Sequence, residues 1–227
     1  MREIVLDTET TGFEYKQGHR LVEIGCVELI NHMPTGRTYH QYINPERDMP
    51  EGAFRVHGLS EEFLRDFPLF KEVAQEFLDF IGDATLIIHN AGFDVPFLNW
   101  ELKGHQFPEM GNNVVDTLVI ARKKFPGSPA NLDALCRRFS VDNSNREKHG
   151  ALLDSELLAE VYLELIGGRQ PGLELAKEAG YGDDILKKER IFREPRAHHA
   201  SEEELAAHTA FLEKIKNPIW LAGEENK

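Results

Sequence analysis

Cysteine is scarce in this 227-residue chain, basic residues are outnumbered, and long hydrophobic runs are missing. Its two cysteines, Cys26 and Cys136, each sit among apolar neighbours. That excludes a disulfide-held scaffold and reads as buried thiols in a reducing compartment. No Cys/His spacing suits a zinc site. No apolar stretch approaches the roughly 18 residues of a membrane span, and Met1-Arg2-Glu3 leads straight into the strand-like Ile4-Val5-Leu6. A cytoplasmic chain with no membrane contact is therefore expected. The balance of 26 Lys and Arg against 39 Asp and Glu leaves a net charge of −13. It excludes a protein that grips nucleic acid through a broad positive surface. Work on DNA would have to be local, or a partner would have to deliver the strand. Residues 171–227 carry only −3 of that charge, which leaves −10 on residues 1–170.

What is present describes a globular protein: 41% hydrophobic and 29% charged residues, enough for one sizeable core plus an appendage. The first 30 residues read as strand (Ile4-Val5-Leu6), loop (7–12) and strand (21–30). A third strand over 38–43 follows a turn at Pro34-Thr35-Gly36. Phe70, Val73, Ala74, Phe77, Leu78 and Ile81 share a helical face that Gly82 closes. Residues 85–88 form a short buried strand, followed by a helix around 93–103 and another short strand ending at Asp116. Helices are expected over 117–125, over 132–139 with Asn131 as its cap, and over 150–166. Strands first and strand–helix alternation afterwards predict an α/β fold with a mixed central sheet flanked by helices, over residues 1–168. Residues 169–200 are poor in apolar periodicity and read as a flexible linker. Residues 201–227 begin with a capping box at Ser201 and read as a docking helix, with Leu205, His208, Phe211, Leu212 and Ile215 on one face.

Asp7 and Glu9 stand two residues apart where a buried strand emerges, so both side chains leave the same side of the sheet. An arbitrary Asp-x-Glu is mostly a solvated strand end. This pair is set apart by Asp94, which ends the run His89-Asn90-Ala91-Gly92-Phe93-Asp94 directly after a strand. Asp154, in the first turns of the long helix, follows His149 by five residues. Four acids at element ends can converge on one sheet edge, and hard carboxylate donors suit Mg²⁺ or Mn²⁺ rather than zinc. His149, beside the start of the same helix, can reach a water there, and imidazole is the side-chain type suited to accept a proton near neutrality. His89 reads as a residue that positions its loop.

Asp7-Thr8-Glu9-Thr10-Thr11-Gly12, His89 to Asp94, and His149-Gly150-Ala151-Leu152-Leu153-Asp154 together resemble the three motifs of the DEDDh 3′→5′ exonucleases. The likeness spans roughly residues 2–168. Its nearest branch is the one that proofreads for a replicative DNA polymerase, to which Val56-His57-Gly58 and the 131–136 segment are also similar. The resemblance implies a ribonuclease-H-like exonuclease fold and two divalent ions, Mg²⁺ or Mn²⁺, held by Asp7, Glu9, Asp94 and Asp154. It implies that His149 is the general base and that nucleoside 5′-monophosphates are released from DNA 3′ ends. His57 and a loop position at Gly52 would join Asp7, Glu9 and Asp154 in contacting the terminal nucleotide.

The tail fits the same branch. Gln170, Leu173 and Leu175 resemble a loose sliding-clamp (beta) peptide. Leu205, Leu212 and Trp220 fall where such a protein tethers to the polymerase catalytic (alpha) subunit. A small accessory subunit is a further expected partner. Two alternatives stand beside this reading: a non-catalytic scaffold between polymerase and clamp, and a stand-alone DEDDh exonuclease acting on RNA or oligonucleotides.

Overall fold

A computed structural model describes residues 1–144, 146, 148–168 and 199–216. The chain divides into two compact units, Met1–Leu173 and Glu174–Lys227. In the first, β1 (Arg2–Thr10), β2 (Leu21–Ile30) and β3 (Met33–Tyr42) precede α1 (Glu51–His57), α2 (Glu61–Leu64) and α3 (Phe70–Ile81). Then come β4 (Thr85–Ile88), α4 (Ala91–Gly104), β5 (Val114–Asp116), α5 (Thr117–Lys124), α6 (Leu132–Phe139) and α7 (Ala151–Leu165). The strands lie in the order β3-β2-β1-β4-β5. Pairing is antiparallel from β3 to β1 and parallel from β1 to β5, which makes the sheet mixed as expected.

Alternation along β1 sorts the core into two layers. Ile4 and Leu6 join Ile24, Leu86, Phe77 and Phe97 on one face, under α3 and α4. Val5 joins Val27, Ile87, Leu135, Leu158 and Val161 on the other, under α5 to α7. Glu3 lies on the second face and accepts a hydrogen bond from Tyr162 of α7 at 2.9 Å. By the same parity Asp7 and Glu9 leave β1 on the α7 side. What lets α7 approach is Gly25, which pairs with Asp7 across β1 and β2. A Cβ at Gly25 would lie 2.2 Å from the backbone of Ala151 and Leu152, and Ser155 donates to the Gly25 carbonyl at 2.9 Å.

Three local expectations need correction. The loop placed at 7–12 is strand as far as Thr10, because β1 keeps its ladder with β2 up to the Thr10–Leu21 pair. The turn placed at Pro34-Thr35-Gly36 lies instead at Asn31-His32, both at positive φ (51° and 67°), a backbone that suits the twist of a tight hairpin. Pro34 is then a strand residue opposite Leu29, tolerated because β3 is the edge strand of the sheet among the described residues. The helix α1 at Glu51–His57 was unforeseen, since it is short and carries one fully buried residue, His57.

The second unit contains α8 (Glu202–Leu212). Ser201 accepts from the Glu204 amide while Glu204 accepts from the Ser201 amide, the expected capping box. Leu205 and Phe211 are exposed and Leu212 is buried. Gln170, Leu173, Leu175 and Trp220, named above for partner contacts, lie outside the described residues.

Candidate active site

Three elements and the loop that leads into the last of them bring the predicted site residues to one place. Asp7 and Glu9 come from β1 and Asp94 from the first turn of α4. Asp154 comes from the first turn of α7, where its amide donates to the Gly150 carbonyl at 2.8 Å. His149 stands one residue before the α7 cap, and its amide donates to the Val56 carbonyl of α1 at 3.2 Å. All five line a single cavity of about 320 Å³, together with Thr8, His89, Asn131, Asp133 and Arg146. One ligand atom each from Glu9, His149 and Asp154 lies within 4.8 Å of the other two.

Hydrogen bonds with neighbouring side chains position Asp94 and the loop before it. Thr8, on the opposite face of β1 from Asp7, donates its hydroxyl to Asp94 at 2.6 Å. Asn90 takes a left-handed conformation (φ 70°), and its amide donates to Asp116, which also caps α5. His89 meets the Thr117 hydroxyl at 2.9 Å, and that hydroxyl donates to the Ile88 carbonyl. The ring therefore ties the end of β4 to the start of α5, in keeping with a loop-positioning residue.

Electrostatically the site is short of positive charge. Burial, and then repulsion from Asp94, Glu9 and Asp154, raises the Asp7 carboxyl well above its usual range. Burial and repulsion from Asp154 and Glu23 push Glu9 up to about 8. Burial raises Asp94 to about 7 against the opposing hydrogen bond from Thr8. Asp154 behaves differently. Burial works to raise it, but hydrogen bonds from His149 and Arg146 outweigh that and hold it below the ordinary carboxylate value.

Arg146 is the residue that the sequence patterns did not single out. Its guanidinium donates to both oxygens of Asp154 at 2.5 and 2.6 Å and to Asp133 at 2.6 Å, and it lies 2.7 Å from Nδ1 of His149. Nothing in its spacing marks it, because it lies in a loop with no periodicity. The only available signal was chemical: several buried acids need a cation nearby.

A smaller cavity of about 150 Å³ adjoins the first, sharing Glu9 and Phe93 with it. Thr10, Gly12, Phe13, Gly52, Ala53, Val56 and His57 complete its lining. His57 accepts the Leu59 amide at Nδ1 (3.0 Å), while its buried Nε2 has no hydrogen-bond partner among the described residues. Burial lowers the His57 pKa against the pull of Glu23, which favours the neutral ring. The structure thus places Gly52 and His57 beside the acids, in a pocket whose lining is largely apolar.

The donor set fits hard divalent cations. It offers four carboxylates and one imidazole, with no thiolate, and three of the carboxyls are held in a protonated-prone state that a bound cation would relieve.

Residues 4–162 match the exonuclease family RNase_T. Over 222 residues the chain is 51% identical to the DNA polymerase III subunit epsilon of Rickettsia felis, covering 95% of this chain and 97% of that one. Over 229 residues it is 44% identical to the same subunit of Escherichia coli K12, covering 95% and 93%. Among solved structures it resembles exonuclease X in complex with 5′-overhanging duplex DNA (TM-score 0.58, 24% identity, 72% of this chain and 90% of that chain). It also resembles the nuclease domain of 3′hExo, a DEDDh family member, bound to rAMP (TM-score 0.61, 18% identity, 73% and 91%). These structural likenesses establish the exonuclease fold.

Proposed function

The chain belongs to the RNase_T exonuclease family and, within it, to the DNA polymerase III epsilon subunits, metal-dependent proofreading 3′→5′ exonucleases; from that premise we propose that Asp7, Glu9, Asp94 and Asp154 hold two divalent ions, Mg²⁺ or Mn²⁺, and that His149 is the general base. The observation that carries this reading is the convergence of Asp7 and Glu9 from β1, Asp94 from α4, and His149 and Asp154 from the start of α7 on one cavity, where burial and mutual repulsion raise three of the four carboxyls. When bound, the ions supply positive charge to the scissile phosphate and activate the attacking water.

The side chains of the chain itself divide the remaining work. His149 accepts the proton of the attacking water. Its Nδ1 lies 3.2 Å from Asp154 Oδ2, so a hydrogen on Nδ1 directed at that carboxylate orients the ring and leaves Nε2 to take the proton. Arg146 lies 2.7 Å from the same Nδ1, and a hydrogen bond donated there has to be released for that tautomer to form. The smaller cavity receives the terminal nucleotide, with Phe13, Val56 and Phe93 against the base and Gly52 and His57 at its edge. A frayed, mismatched end reaches such a pocket at lower unpairing cost than a matched one.

Association with the polymerase III complex comes with the family. On that basis the partners are DNA 3′ ends, the alpha subunit through Leu205, Leu212 and Trp220, the beta clamp through Gln170, Leu173 and Leu175, and a small accessory subunit. The exposed apolar Leu205 and Phe211 on α8 support a docking role for that helix. The setting is the cytoplasmic replisome; no described helix is long and apolar enough to cross a membrane.

The test is digestion of a 3′-mismatched DNA primer by the purified chain with Mg²⁺, Mn²⁺ or chelator, beside an RNA primer. The reading expects metal-dependent release of 5′-monophosphates, faster at the mismatch and slow on RNA. Equal digestion of RNA would instead support the stand-alone nuclease.

A further inference from the structure

Charge is not spread evenly over this acidic chain. Between residues 117 and 141 there are five basic side chains, Arg122, Lys123, Lys124, Arg137 and Arg138, and a single acid, Asp133, in a protein whose total is −13. That acid is already bonded to Arg146 at 2.6 Å. All five basic residues are exposed, and among the described residues none makes an ion pair.

The fold puts these charges together and aims them. They occupy the last turns of α5 and α6. The two helix ends meet through Phe125 and Phe139, whose ring centroids are 5.9 Å apart, and the Arg138 guanidinium lies 4.3 Å over the Phe125 ring. Stacking fixes the plane of that guanidinium while leaving its N–H edge outward. Arg137 and Arg138 line a shallow surface depression with Pro129 and Ala134. At its other end α6 starts at the catalytic cavity, which Asn131, Leu132 and Asp133 line, and α5 starts one residue contact away, where Thr117 meets His89 of the cavity lining. Eight helical residues span about 12 Å, so the basic ends stand about that far from the rim of the site. Favourable interaction with the helix dipole is an insufficient reason for the cluster, because α3 and α7 end with no basic residue at all.

We propose that the basic ends of α5 and α6 form a phosphate track for the DNA strand entering the active site, engaging Lys123, Lys124, Arg137 and Arg138 with the backbone upstream of the scissile bond. At about 3.4 Å per nucleotide along a strand, a reach of about 12 Å corresponds to the third or fourth phosphate from the 3′ end. The track resolves how a −13 protein holds its substrate: acids confined to the cleft, and a local positive strip leading to it. It deepens the exonuclease reading and rests on it.

The test compares two substrates on the full chain carrying Lys123→Gln, Lys124→Gln and Arg137→Gln, which leaves the Arg138–Phe125 stack in place. The nitrophenyl ester of thymidine 5′-monophosphate has no upstream phosphate and should be hydrolysed at the wild-type rate within about twofold. For a single-stranded 12-mer the KM should rise at least about tenfold at 0.1 M salt, and the slope of log affinity against log salt should shrink by about 2, at about 0.7 per lost single-strand contact. Binding of a labelled 12-mer to Asp7→Ala, with and without the three substitutions, reads the same contacts without turnover. Unchanged 12-mer affinity and salt slope would overturn the proposal and leave an acidic protein as the partner of this patch. Failure of the unsubstituted chain to hydrolyse the ester with metal present would count against the exonuclease reading itself.

Discussion

Arg146 grips Asp154 through both carboxylate oxygens, with the two side chains only 6% and 4% exposed. A buried carboxylate proposed to bind metal is thus also held by a guanidinium from a neighbouring loop. Together with the hydrogen bond from His149, the pair outweighs burial, so that Asp154 alone among the four acids sits below its ordinary pKa while Asp7, Glu9 and Asp94 sit above theirs.

Removing that cation should show how much of the metal-free site depends on it. Arg146→Gln leaves the buried Asp154 with only His149, at 3.2 Å, as a partner, and breaking a buried pair in this way typically costs about 3 kcal/mol. In chelator the melting temperature should fall by several degrees, and Mn²⁺ should recover most of the loss. An equal drop with and without metal would mean that Arg146 serves packing rather than charge.

The pH response of the metal-free fold follows from the raised acids. Glu9 at about 8 and Asp94 at about 7 hold protons in the folded chain that the unfolded chain releases near pH 4 to 4.5. The folded state therefore binds more protons across that window, and stability falls as pH rises. The contribution is complete below about pH 4 and gone once pH passes about 8. Thermal melts in chelator should decline between pH 5 and 8.5, and saturating Mg²⁺ or Mn²⁺ should flatten the decline. A melting temperature that climbs across this interval in chelator contradicts the assignment.

For His149, substitution by Gln should lower turnover by about 10²- to 10⁴-fold, the usual worth of a positioned base. The far-ultraviolet spectrum and the binding of Mn²⁺ should be close to wild type. Retained turnover would pass the base role to another group in the cavity.

Gly25 offers a test of how the scaffold places the chemistry. A methyl group there meets backbone of α7 at 2.2 Å, where no side chain can yield. Gly25→Ala should destabilise the fold by about 3 kcal/mol or more and displace Asp154 along with its helix. Calorimetry and the primer assay read the two effects. A stable, fully active variant would show that the approach of α7 to β2 is not what sets the site.

Much of this site could be read from residue order because its acids sit beside strong signals: Asp7 and Glu9 on an apolar strand, Asp94 after another, Asp154 on the longest amphipathic helix. Each motif is local, so the chain order carries it. The Thr8–Asp94 bond was invisible because it joins segments 86 residues apart, and Arg146 because, though its partners are near in sequence, it lies in a loop whose path no periodicity fixes. The β2–β3 turn was misplaced because Pro34 and Gly36 are strong turn residues in general, yet edge-strand geometry tolerates both. Gly25 gave no sign of its importance, because an isolated glycine inside a strand shows nothing of the helix backbone that crosses it.

The account turns on four carboxylates holding a pair of divalent ions, and counting the ions tests that most directly. Calorimetric titration of the full chain with Mn²⁺, in the presence of thymidine 5′-monophosphate, should give two ions per chain, and Asp7→Asn and Asp154→Asn should each lose at least one. A wild-type chain that binds no ion or only one, or variants that bind as many as the wild type, would contradict it.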